Sequence, residues 1–208
     1  MRKITFLLAF TFTTFLSHAQ IHWLLRGGYN YNNAKVEYLG KKRNTTGKSG
    51  FNIGIGAKAL FDYNLYFTPQ FNYSMKGYVV TYSSDTSISK SNTTAHFIEI
   101  PILLQMYLNP NSINKIFLQY GPSINCAIAG SEIVTLNNGN TENRKLKFGE
   151  VYYGRWEASL MATLGYEVDN RWSISAGLNL GLTNFHNSDF GPNIRTRQFN
   201  ANFSYYFR

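Results

Sequence analysis

Residues 198–208, QFNANFSYYFR, alternate without a break. Phe199, Ala201, Phe203, Tyr205 and Phe207 fall on one side, and Gln198, Asn200, Asn202, Ser204, Tyr206 and Arg208 on the other. Successive side chains of a strand point to opposite faces, so this period of two demands a strand with one aromatic and one polar face. Two architectures accept such a strand. A soluble sandwich turns the aromatic face into its core. A transmembrane barrel turns it to lipid and keeps the amides and hydroxyls in the lumen.

The same alternation returns in seven earlier stretches: 22–31, 51–61, 65–74, 96–108, 115–129, 155–168 and 171–183. Residues 51–61 are the cleanest case, with Phe51, Ile53, Ile55, Ala57, Ala59 and Phe61 set against Asn52, Gly54, Gly56, Lys58 and Leu60. Connections alternate in length. Those after the second, fourth and sixth stretches are short, and Asp169-Asn170 is of the type that favours a two-residue hairpin turn. Those after the first, third, fifth and seventh are long and polar: 32–50, 75–94, 130–150 and 184–196. An even strand number, short turns at one end and long loops at the other is the layout of outer-membrane barrels. Each stretch is near the roughly 9–11 residues that a tilted strand needs to cross a bilayer. No helical periodicity competes.

The aromatics are sorted by height. If the first stretch rises from the short-turn side, Trp23, Phe61, Tyr166, Trp172 and Phe207 lie at that end of their outward faces, and Tyr31, Phe51, Tyr73 and Trp156 at the other. Two such girdles are expected at the two membrane interfaces. The predicted fold is all-β: an eight-stranded antiparallel up-and-down transmembrane β-barrel.

Met1-Arg2-Lys3, an apolar run and Ser17-His18-Ala19-Gln20 have the form of a cleaved secretory signal peptide. Residues 1–19 are therefore expected to be the leader and 20–208 the barrel, located in the cell outer membrane. A single cysteine, Cys126, excludes an internal disulfide and is read as a small apolar residue. Of the net charge of +9, Arg2 and Lys3 leave with the leader, and the remaining excess resides largely in the long connections, at Lys35, Lys41, Lys42, Arg43, Lys48, Arg144, Lys145 and Lys147. That excess solubilises loops or attracts anionic headgroups or surface polysaccharide. A nucleic-acid partner does not suit an exported protein.

Parity places Arg26, Lys58, Glu99, Arg155, Glu157 and Glu167 in the lumen, with Arg171 near its end. Eight strands enclose a bore that side chains just fill, so a mixed-sign set reads as a salt-bridged plug before a water channel. Pro101 lacks an N–H and is expected at a local bulge.

Phe97-Ile98-Glu99-Ile100-Pro101-Ile102-Leu103-Leu104 resembles the aromatic-aliphatic-Glu-Ile-Pro strand of the PorT-like outer-membrane barrels of Bacteroidetes. Gly54-Ile55-Gly56, Tyr73-Ser74-Met75-Lys76-Gly77, Tyr120-Gly121-Pro122, Gly181-Leu182-Thr183-Asn184 and Tyr205-Tyr206-Phe207 are similar to its other marks, in order along the mature chain. The resemblance implies an integral outer-membrane, porin-like barrel with no cofactor, no metal and no catalytic residues. Its namesake supports protein secretion. No peptidoglycan-binding domain of the OmpA type is expected after the last strand.

The expected function is thus a non-enzymatic barrel whose extracellular loops bind a partner, or which serves as an accessory to secretion or the envelope. The expected partners are outer-membrane lipid and lipopolysaccharide, the barrel-assembly machinery during insertion, and a secretion or envelope protein. One alternative is a lipid A-modifying hydrolase using a Ser-His-acid set, for which His96 near the outer rim is the candidate and no serine is convincingly placed. The other is a narrow porin-like channel.

Overall fold

The computed structural model describes residues 21–82, 87–149, 152–187 and 191–207. The expected signal peptide, residues 1–19, lies outside the described residues, as do Gln20 and Arg208. Ten strands are present among them: β1 (Ile21–Tyr38), β2 (Lys41–Lys42), β3 (Asn44–Asp62), β4 (Leu65–Thr81), β5 (Ile88–Tyr107), β6 (Lys115–Leu136), β7 (Thr141–Lys145), β8 (Trp156–Val168), β9 (Trp172–Gly181) and β10 (Asn193–Phe207). No helix of the described residues is long and apolar enough to cross a membrane.

Eight of these form a ring in the order β10-β9-β8-β6-β5-β4-β3-β1, antiparallel throughout, and β1 pairs with β10 to close it. The closing seam runs from Trp23↔Phe207 to Glu37↔Asn193. Closure satisfies every wall strand on both sides, the condition under which strands can lie in lipid. This is an eight-stranded up-and-down barrel. At the β8–β9 turn, Asp169 and Asn170 both have positive φ (51° and 53°), the left-handed pair that a two-residue hairpin needs.

The wall is inside-out relative to a soluble protein. Leu25, Ile53, Ile55, Ile174, Leu178, Phe199 and Phe203 are exposed on its outer face, while Asn30, Asn52, Gln70, Asn72, Gln105, Gln119 and Asn200 are buried within. A polar interior and an apolar girdle are the pattern of a membrane barrel.

Two expectations are corrected. The connections 32–50, 75–94 and 130–150, expected to be loops, are largely strand. β1, β3, β4, β5 and β6 continue as long hairpins beyond the apolar band, and β7 pairs with β6 alone. Only β8 and β9 stop short, so the barrel carries a tall, uneven collar at the end opposite the short turns. The collar encloses a second core of Ala34, Val36, Tyr78, Val80, Ala95, Phe97, Ala127, Leu146, Phe185 and Ile194. Pro101 keeps its register on both sides, facing Ser123 on β6. The bulge expected there lies instead at His96/Phe97 of the β5–β6 ladder, with further shifts at Gly47/Asn52 and Leu60/Asp62 between β3 and β4.

Candidate functional site in the lumen and its mouth

Six charged residues are buried among the described residues: Arg26, Lys58, Lys76, Glu99, Glu157 and Glu167. Three are cations and three are carboxylates, so the interior is formally neutral. Charges withdrawn from water persist only when partnered, and the ring order shows what the partnering does to the bore.

At the short-turn end, Lys58 Nζ lies 2.8 Å from Glu167 Oε1. Lys58 is on β3 and Glu167 on β8, four places apart in a ring of eight, so this ion pair spans the bore from wall to wall. Tyr107 of β5 braces it. Lys58 Nζ donates to the Tyr107 hydroxyl (2.9 Å), and that hydroxyl donates to Glu167 Oε1 (2.8 Å). The Tyr206 ring lies 4.2 Å from the Lys58 ammonium, close enough for cation–π attraction.

Above this crossbar the lumen is filled by Arg26 and neutral amides and hydroxyls. Arg26 donates to Gln70 (3.0 Å), Gln119 to Gln105 (2.7 Å), and Asn52 to Asn30 (2.6 Å), which in turn donates to Ser74 (3.1 Å). A second crossbar follows. Lys76 Nζ of β4 lies 2.7 Å from Glu99 Oε1 of β5 and 3.2 Å from Glu157 Oε2 of β8, three places round the ring. Asn125 and Thr196 also donate to Glu157. The Phe97 ring, 4.7 Å from the Lys76 ammonium, begins the apolar collar core.

The sequence-predicted residues fall as follows. Arg26, Lys58, Glu99, Glu157 and Glu167 lie in the lumen. Arg155 does not: it is exposed, one residue before β8 begins, with its guanidinium 5.6 Å from the Phe148 ring. β8 begins at Trp156, so its alternation does not reach Arg155. Arg171 is likewise exposed, in the turn before β9. Lys76 joins them in the lumen, although it follows Tyr73 in a stretch whose polar composition is that of a loop. Continuing the alternation of β4 three residues further finds it.

Trp23, Phe61, Tyr166, Trp172 and Phe207 stand on the outer face at the short-turn end. Tyr31, Phe51 and Trp156 stand exposed higher on the wall, and Tyr73 is half-buried there. Tyr73 holds His96: its hydroxyl is 2.6 Å from His96 Nδ1 and the rings stack at 5.9 Å. A hydrolytic triad needs that nitrogen on a carboxylate; here a phenol occupies it.

The collar opens into a cavity of about 270 Å³ between Val36, Tyr78, Val80, Tyr82, Tyr153 and Ile194, with Arg43 and Glu132 at its edge. Tyr82 and Tyr38 flank the Arg43 guanidinium at 5.8 and 5.9 Å, and Glu132 is held by the Ser91 hydroxyl. Burial, with Glu132 nearby, pushes the Tyr153 hydroxyl up to about 12, so it stays protonated and bonded to Tyr78. No group of His, Cys, Asp and Glu among the described residues could hold a metal ion.

No curated protein matches the sequence. Solved structures similar to the chain include the attachment invasion locus protein Ail of Yersinia pestis, with 14% identity and a TM-score of 0.47, covering 90% of this chain and 99% of that one. Neisserial surface protein A is similar at 14% identity and a TM-score of 0.46, covering 89% and 97%. The outer membrane protein OprG from Pseudomonas aeruginosa is similar at 11% identity and a TM-score of 0.47, covering 92% and 98%. Residues 15–187 match a single family over most of the chain, and the protein belongs to it: the outer membrane protein beta-barrel domain family.

Proposed function

We propose that this outer-membrane barrel is a non-enzymatic, plugged scaffold whose collar binds a protein of the envelope or of a secretion system. The carrying observation is the Lys58–Glu167 ion pair across the full width of the bore. The Lys76 crossbar and the apolar collar core support the same reading of a filled lumen. The exposed chemistry then lies on the collar, where the Tyr78–Tyr82–Tyr153 cavity is shaped to take an apolar side chain of a partner. Loops and hairpin tips on a rigid scaffold are where binding is concentrated. The resemblance to the PorT-like barrels supports an accessory role of this kind. Export through a leader ending at Ala19, insertion by the barrel-assembly machinery and a wall surrounded by outer-membrane lipid and lipopolysaccharide belong to the same reading.

Reconstituted into planar bilayers, the protein is expected to show no conductance steps. A steady ohmic conductance from the wild-type chain would overturn the plug. Cross-linking in native membranes through the collar cavity, with Tyr82→Ala as the comparison, should then capture one protein partner that the variant loses.

A further inference from the structure

The outer wall carries a cationic patch where β1 and β10 leave the aromatic band. On this seam the highest outward aromatic pair is Tyr31↔Phe199. One outward step above it stands Arg197 opposite Asn33, and one further step Arg195 directly opposite Lys35. Arg195 and Arg197 are exposed, and the Lys35 side chain is 39% exposed. Lys42 of β2 follows, paired with Glu37. Glu37 is the acid of the cluster, 2.9 Å from Lys35, and Lys35, Lys42 and Arg195 hold its carboxyl below the usual range. Among the described residues of this patch, Lys35, Lys42 and Arg195 thus share one carboxylate, and Arg197 stands one outward step below Arg195.

This arrangement is unfavourable in isolation. Like charges directly opposite on neighbouring strands repel, barrel closure holds the Lys35 and Arg195 backbones side by side, and Glu37 offsets only part of the repulsion. An anion between them turns repulsion into shared attraction. Height then selects the anion. Two residues of strand rise about 7 Å, or about 5 Å above the aromatic pair at a barrel tilt near 40°. That is roughly the depth of a headgroup layer on one side of the hydrocarbon core. Arg197 therefore stands at phosphate level, with Lys35 and Arg195 some 10 Å above Phe199 by the same reckoning. Arginine presents a planar fork that matches phosphate geometry.

We infer that Arg197, Arg195 and Lys35 form a binding site on the outer wall for the phosphorylated headgroup of an outer-leaflet glycolipid. The inference rests on the wall being in the outer membrane and is independent of what the collar binds. It gives the barrel a preferred lipid neighbour on the face that contains its closing seam.

The test uses delipidated full-length protein in neutral detergent, titrated with phosphorylated lipid A and read by native mass spectrometry. Wild type should bind the lipid, and Arg195→Gln/Arg197→Gln should weaken it about tenfold, since each basic residue near a membrane surface contributes several-fold. Dephosphorylated lipid A should bind wild type no better than it binds the double variant. Arg171→Gln, at the short-turn end, should leave binding unchanged. The heat-dependent gel mobility of each variant reports the barrel separately, so a collapsed wall is distinguished from a lost site. Equal binding by the double variant, equal binding of the dephosphorylated lipid, or equal loss in Arg171→Gln would each overturn the site. So would capture of a soluble sulfated polysaccharide with no lipid A binding.

Discussion

At the scale of single residues, Lys76 is the sharpest case, because its ammonium stands between two carboxylates that would otherwise face one another in the lumen. Truncating one partner of a buried ionic cluster leaves an uncompensated charge. Lys76→Met is therefore expected to destabilise the barrel by about 3–5 kcal/mol. Adding Glu99→Gln and Glu157→Gln to that variant removes the stranded charges and should recover most of the loss. Urea unfolding in detergent, followed by gel mobility, measures both. Recovery separates the two accounts of this lysine: a merely space-filling residue would not be rescued by changes at its carboxylates. The same residue shows the limit of the sequence. Lys58 was legible because it sits inside a long, strictly alternating run. Lys76 was not, because Ser74-Met75-Lys76-Gly77 reads as the start of a loop by composition.

At the scale of elements, the wall was legible and the collar was not, for one reason. In the apolar band lipid imposes the alternation, so Phe51–Phe61 or Gln198–Phe207 can be read directly. Above it water accepts either parity on the outer face, and Asn44–Gly50, NTTGKSG, is strand only because its hairpin partners hold it. Arg155 failed in the opposite sense, since the alternation of β8 was carried one residue past its start. Between elements, inward glycines set how closely the ladders approach the amides that fill the bore. A Cβ on Gly54 would lie 2.0 Å from Asn72 Oδ1 and 2.5 Å from the Phe71 carbonyl oxygen, which is backbone and cannot step aside. Gly54→Ala should cost about 1–3 kcal/mol by forcing β3 from β4, measured by the same unfolding assay. A neutral result would show that the β3–β4 ladder has slack at this level.

At the scale of the whole molecule, a lumen that is neutral among the described residues means that the net positive charge of the barrel, which is the +9 of the sequence less Arg2 and Lys3 of the expected leader, is carried outside it. The barrel is therefore electrostatically quiet within and basic on its surface, the distribution that lets one face sit in hydrocarbon and the rim meet anions. A chain ending before residue 193 lacks β10 and leaves both β9 and β1 with an open edge. It is expected to give no heat-modifiable species and no protease-resistant core, whereas the full chain gives both. The wall-to-wall salt bridge adds a demand on the order of events. A charged side chain within the bilayer is costly, most of all near its centre, and a flat, half-inserted sheet would leave the lumen charges to meet lipid unpartnered. Lys58 and Glu167, 109 residues apart in the chain, shield each other only once the sheet has curled into a cylinder. Entry into lipid and curling of the sheet into a cylinder must then be one concerted event, because the charges find their partners across the bore only as the wall closes.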